Sequence, residues 1–313
     1  MKKFVVNFFV FGFCLIGVFF IIDFTVGIYS LKKTNFIIEK QNKYIVLGHS
    51  HSGCSINDKL VDSLVNLSSS GESYFYSYYK LRKMIEYNPN IETVLLEFSN
   101  NNISEQMDDW LFGRNMKSNY LKYSHIVDYY GKYFLFKEKP NLFLRSFINN
   151  VLTKTNDLIN MNKNYNNLLG GHIEVNKNIT DSLLNNNLYL KRNYEFNFNN
   201  KSNYSIKYIK KIIDYCDEKE INLILMRSPL HENYKGLENE DMFLLEQKQL
   251  SNDKVSFLDF SKFPFENIEF VDYQHLNEKG ANKFSNWLSS FIKSGGLKLG
   301  NESLKMEISK IKI

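Results

Sequence analysis

Nineteen residues near the start of the chain, Phe4–Ile22, contain one polar side chain, Asn7. A run apolar on every side has to be enclosed by protein or by hydrocarbon. At ~1.5 Å per residue it spans roughly 28 Å, close to the ~30 Å apolar core of a bilayer. Lys2 and Lys3 precede it and Asp23 follows it. Lysines on a short N-terminal flank stay in the cytoplasm, so the rest of the chain is expected on the far side. No A-x-A-like cleavage site follows Ile22, and Phe13 stands before Cys14 where a lipoprotein would carry a small residue. The expectation is an uncleaved single-pass anchor over residues 1–30, with the remainder outside the cytoplasm.

The remainder has the composition of a folded protein. Of 313 residues 43% are hydrophobic and 15% aromatic, which excludes a disordered or collagen-like chain. The net charge of +5 is spread without a basic block, so nucleic acid is not an expected partner. Three cysteines without a C-x-x-C spacing supply neither a disulfide framework nor a zinc site.

Short apolar runs at Tyr44–Leu47, Asp62–Leu67, Ile91–Phe98, Ile221–Met226 and Val255–Leu258 read as buried strands. Between them Tyr74, Tyr78, Leu81 and Ile85 recur at helical spacing, as do Ile206, Ile209, Ile213 and Cys216, and Ala281, Phe284, Leu288 and Phe291. Leu237–Leu250 is also expected to be helical. This alternation predicts an α/β domain over 40–295 with a doubly wound parallel sheet. Residues 23–42 read as a connector. Residues 103–203 interrupt the rhythm and are expected to form a mainly helical insertion, irregular over 160–203, where 15 of the 40 asparagines fall. Residues 296–313 read as a loosely held tail.

In open α/β sheets ligands bind beyond the carboxyl ends of the strands, so polar residues there are the ones to inspect. Gly48–His49–Ser50–His51 follows the first strand, where a serine can expose its hydroxyl on a strand-to-helix turn or simply cap the helix. Asp272–Tyr273–Gln274–His275 precedes the last helix, and an Asp three residues before a His can orient it as a base. Gly71 and Asn100–Asn101–Asn102 follow the second and third strands and offer N–H groups suited to a developing oxyanion.

Taken in this order, the blocks resemble those of the SGNH, or GDSL-like, hydrolase superfamily, in a membrane-anchored branch associated with cell-surface polysaccharide O-acylation. Gly48–His49–Ser50, Gly71, Phe98–Ser99–Asn100–Asn101 and Asp272–Tyr273–Gln274–His275 stand in its four blocks, and His275–Leu276–Asn277–Glu278–Lys279–Gly280 continues the last. The resemblance covers about 44–102 and 205–292. It implies a flavodoxin-like three-layer sandwich with Ser50 as nucleophile, His275 as base, Asp272 as orienter, and Gly71 and Asn100 in the oxyanion hole. His51, His231 and Asn102 are expected to contact substrate. His49 stands where the family carries Asp, and Phe98 where it carries Gly. An esterase or O-acetyltransferase acting on an acylated surface glycan follows, with no cofactor. A transferase outside the cytoplasm would need an acyl donor delivered by a membrane partner protein.

Two other readings stay open. A catalytically silent module of the same fold could bind polysaccharide in an assembly complex. His49, His51, His231 and Asp272 could instead hold a metal, since imidazole and carboxylate suit zinc. Cys54, one helical turn beyond Ser50, reads as a packing residue, and Glu97 as a paired or partly buried strand residue.

Overall fold

Five strands of near-continuous apolar residues pair side by side, as strands covered on both faces must. The computed structural model describes residues 1–160, 169–179, 200–234, 239–251 and 255–311. Its strands are β1 (Tyr44–Leu47), β2 (Leu64–Asn66), β3 (Thr93–Glu97), β4 (Asn222–Arg227) and β5 (Val255–Asp259). They form one sheet in the order β2-β1-β3-β4-β5, every pairing parallel. The register sets Val46 beside Leu95 and Leu95 beside Ile224, so these side chains share one face. They join a core with Leu258, Phe284 and Leu288, the last two from α11 (Glu278–Lys293). Phe257 points the other way and meets Phe243 of α10 (Glu240–Leu250), their ring centroids 5.8 Å apart. The sheet is thus covered on both sides.

The chain divides into two units. The sheet unit comprises residues 36–111 and 169–313. Besides α10 and α11 it holds α2 (Ser50–Ser55), α3 (Tyr74–Tyr87), α4 (Asn100–Ile103), α9 (Asn203–Glu218) and α12 (Asn301–Ser309). Parallel strands need crossover connections, and α3 and α9 occupy two of them. The C-terminal stretch is not loose: Leu297 and Leu304 belong to the core, and Asn301 accepts the Asp259 backbone N–H. Residues 169–179 carry no regular structure but run across the sheet unit as a strap. Gly171 N–H donates to Ser68, Ile173 N–H to Gly53 and Ile179 N–H to Phe270, while Val175 accepts from Glu278.

The second unit, residues 1–35 and 112–168, is helical. Its elements are α1 (Lys2–Lys33), α6 (Met116–Tyr123), α7 (Tyr129–Glu138) and α8 (Pro140–Asn160); α5 (Asp108–Phe112) leads into it. The expected connector over 23–42 is therefore helix up to Lys33. The expected insertion over 103–203 is split, with 103–111 and 169–179 belonging to the sheet unit. The expectation of irregularity over 160–203 lies mostly outside the described residues. α1 is long and apolar enough to cross a membrane. Phe4, Phe8, Phe11 and Phe20 stand exposed along it.

Candidate active site

The turn after β1 is shaped by a carboxylate from the neighbouring strand. Glu97 ends β3, fully buried, and its Oε2 accepts from the His49 N–H at 3.2 Å, the Ser52 N–H at 3.0 Å and the Ser52 hydroxyl at 2.6 Å. Three donors on one oxygen hold the first turn of α2 against β3, each bond strengthened by the charge. Gly48 is required for that approach, because a Cβ there would sit 2.6 Å from the Glu97 Cβ. Glu97 therefore ties down the turn that carries Ser50, a role the sequence did not reveal. The one available signal is a carboxylate at the end of an otherwise apolar strand.

Ser50 opens α2, and its Oγ lies 2.8 Å from His275 Nε2. His275 Nδ1 is 3.0 Å from both oxygens of Asp272. With Nδ1–H donating to the carboxylate, Nε2 is left to accept from the Ser50 hydroxyl. Asp272 also accepts the backbone N–H of Gln274 and of His275, which fixes the loop before α11. Burial would push its carboxyl up, but the His275 hydrogen bond and charge with these two N–H bonds hold it below the ordinary value. The structure thus brings together three residues separated by up to 225 positions in the chain.

The remaining expected residues are placed differently. Both amide hydrogens of Asn100 are engaged, by Asn239 at 3.0 Å and Glu240 at 2.9 Å, and its oxygen accepts from Arg227. Arg227 pairs in turn with Asp259 and Glu240, so Asn100 belongs to a buried charge network. Asn101 instead donates to Gln274 Oε1 at 3.3 Å and accepts from the Tyr234 hydroxyl at 2.7 Å. Asn102 is buried, its oxygen taken by the Ser99 N–H and hydroxyl in a helix cap. Gly71 has φ +66°, and a Cβ on it would fall 2.1 Å from the Trp110 ring, so its visible constraint is packing.

His51 and His231 are both buried, and the His51 ring lies 5.2 Å from that of His275. His231 Nε2 is 2.9 Å from Asn267 Oδ1, its Nδ1 accepts the Asn233 N–H, and its ring packs on Phe270 and Tyr273. The four-residue metal set of His49, His51, His231 and Asp272 is therefore not assembled, since His231 and Asp272 each face other partners. A different trio does converge: His49 Nε2 and His51 Nδ1 lie 3.6 and 3.4 Å from Glu97 Oε1, all three buried. These atoms have no hydrogen-bond partner. The two tautomers differ, since His51 Nε2 donates to Gln274 Oε1 and leaves a lone pair on the Nδ1 that faces Glu97. His49 Nδ1 accepts the His51 N–H, so its Nε2 keeps the proton and offers no lone pair. Burial lowers the pKa of both imidazoles, that of His51 well below its usual range. Cys54 is buried, its thiol pushed up to about 12 chiefly by desolvation, the state of an inert packing cysteine.

Comparisons with known proteins leave activity open. A family model that carries no functional description matches residues 160–295. No curated protein matches the chain. A solved structure from Streptococcus pneumonia, provisionally described as a platelet activating factor, is similar over 89% of this chain and 96% of its own. The identity is 10% and the TM-score 0.43, a likeness that carries no argument about chemistry.

Proposed function

We propose that this chain is a membrane-anchored serine acyl-ester enzyme of the SGNH type, working outside the cytoplasm on an acylated surface glycan as a hydrolase or an O-acyltransferase. The observation that carries the reading is the hydrogen-bonded series Ser50–His275–Asp272, with 2.8 Å between hydroxyl and imidazole and 3.0 Å between imidazole and carboxylate. The parallel sheet with helices on both faces is compatible with the three-layer sandwich of that superfamily. The glycan and the membrane side rest on the resemblance and on the lysines before the apolar run.

Ser50 Oγ attacks an acyl carbonyl carbon as its proton passes to His275 Nε2. Asp272, ionised at neutral pH, stabilises the imidazolium and holds the tautomer. Collapse of the tetrahedral intermediate expels the alcohol, which takes its proton from His275, and leaves an acyl-Ser50 ester. Water or a sugar hydroxyl then attacks that ester, again with His275 as base. The oxyanion needs an N–H donor, and Asn101 takes the role expected of Asn100, because one of its amide hydrogens remains beyond the bond to Gln274.

A fluorophosphonate probe tests the reading. It should label the full-length chain at Ser50, Ser50→Ala should abolish labelling, and His275→Ala should slow it by on the order of 10⁴-fold. Cys54→Ala should leave it unchanged. A folded chain that resists the probe and releases no acetate from acetylated glycans would replace this reading with the silent polysaccharide-binding module.

A further inference from the structure

The helical unit contains a second apolar element besides α1. Phe20 of α1 packs on Phe147 of α8, ring centroids 5.8 Å apart. One turn further on, Asp23 accepts from Asn150 of α8 at 3.2 Å and from Lys132 of α7 at 2.9 Å. Further still, Thr34 is 3.1 Å from His125, whose other ring nitrogen faces Lys154 of α8. Contacts at 20 and 23 match 147 and 150, and His125 bridges the later residues Thr34 and Lys154, so α1 and α8 run parallel. The first residues of α8 point back along the apolar run. α7 descends beside them in the opposite sense, from Lys132 at the level of Asp23 to Glu138.

The hairpin tip between α7 and α8 therefore lies beside the apolar run. At ~1.5 Å per residue, Leu142 and Leu144 fall roughly 5–8 Å below the level of Phe20. Its surface is unlike that of a solvated loop. Phe136, Leu142, Leu144 and Ile148 are 41%, 37%, 45% and 45% exposed. Lys137, Lys139 and Arg145 stand exposed among them. Apolar side chains interleaved with long basic ones, at a depth of ~5–10 Å, are what an element lying in the headgroup region presents. Tyr133, 54% exposed beside Lys132, sits one turn nearer the water, where amphipathic rings collect.

We propose that the α7–α8 tip inserts into the same leaflet as the outer end of α1, a second foothold in the lipid interface that favours anionic headgroups. The proposal rests on α1 spanning the membrane. Its occupant is the bilayer itself, because the apolar tip is continuous with the apolar surface of α1 through the Phe20–Phe147 contact.

The test places an environment-sensitive fluorophore on single cysteines in the full-length chain, with Cys14→Ser to clear the exposed thiol. The chain is reconstituted in vesicles of phosphatidylcholine with phosphatidylglycerol. A probe at Leu144→Cys should be blue-shifted and quenched by lipids brominated near the headgroup. One at Ile159→Cys, exposed at the far end of α8, should report water, and one at Phe11→Cys should be quenched by deeply brominated lipids. Reversing Lys137, Lys139 and Arg145 to Glu should weaken the Leu144 signal in anionic vesicles. A watery Leu144 probe beside a deep Phe11 probe overturns the foothold and leaves the span intact. A watery Phe11 probe overturns the span, and the foothold with it.

Discussion

At the scale of single residues, the neighbouring asparagines 100 and 101 part company. Asn100 is consumed by Arg227, Asn239 and Glu240, whereas Asn101 reaches Gln274 and Tyr234. Asn101→Ala should slow probe labelling by about 10²–10³, the usual cost of one oxyanion donor, with a stability loss of about 1 kcal/mol where the Tyr234 hydroxyl loses its acceptor. Asn100→Ala should do the reverse, lowering stability by about 1–3 kcal/mol through unpaired buried groups while labelling proceeds in the folded fraction. Comparing labelling rate with the denaturation midpoint for each variant checks the assignment. Ser50, His275 and Asp272 were legible because each is a polar residue in a loop that follows or precedes a recognisable element. The choice among three consecutive asparagines was not, because spacing does not say which member of a helix turn faces an arginine 127 positions away.

At the scale of elements, the strands were legible to within two residues at each end, since a buried parallel strand announces itself as an apolar run. Glu97 was not, because a carboxylate at the end of such a run looks like a strand boundary. Its function depends on β1 lying beside β3, a pairing that only the sheet order reveals. Glu97→Ala should strip three bonds from the α2 turn and destabilise the full-length chain by on the order of 3 kcal/mol or more, read by denaturant titration in detergent. Glu97→Gln keeps an acceptor in place and should lose less. Equal stability of both variants with the native chain would show that the turn holds without the carboxylate. The strap over 169–179 escaped notice for a related reason: it is held by backbone bonds to Ser68, Gly53 and Phe270, which leave no periodic trace in side-chain types.

At the scale of the molecule, three histidines bear on the response to acid, the buried His49 and His51 and the half-buried His125. His49, His51 and His125 have lowered pKa values, first because burial disfavours the imidazolium. In the unfolded chain each titrates near ~6.5. Below that pH the unfolded state binds protons that the fold refuses, so stability falls as pH drops, by up to ~1.4 kcal/mol per pH unit for each histidine. The Asp272 carboxyl acts lower: with its pKa depressed, its contribution is complete above ~3.9 and is lost only as pH falls through the folded value. The melting temperature should therefore decline between pH 7 and pH 5, and His125→Gln should flatten the decline. A melting temperature constant over that range would contradict the burial of these imidazoles.

The 225 positions between Ser50 and His275 also set a timetable. A chain made from its N-terminus has β1, β2, β3 and the serine turn long before it has a base. The strap that bonds to the serine helix and to the last loop comes in between, and the loop bearing His275 follows the last strand. Until that loop is made, the Ser50 hydroxyl of the nascent polypeptide lacks its imidazole partner. On the proposed reading, reactivity towards esters is acquired only after every strand of the sheet has been made.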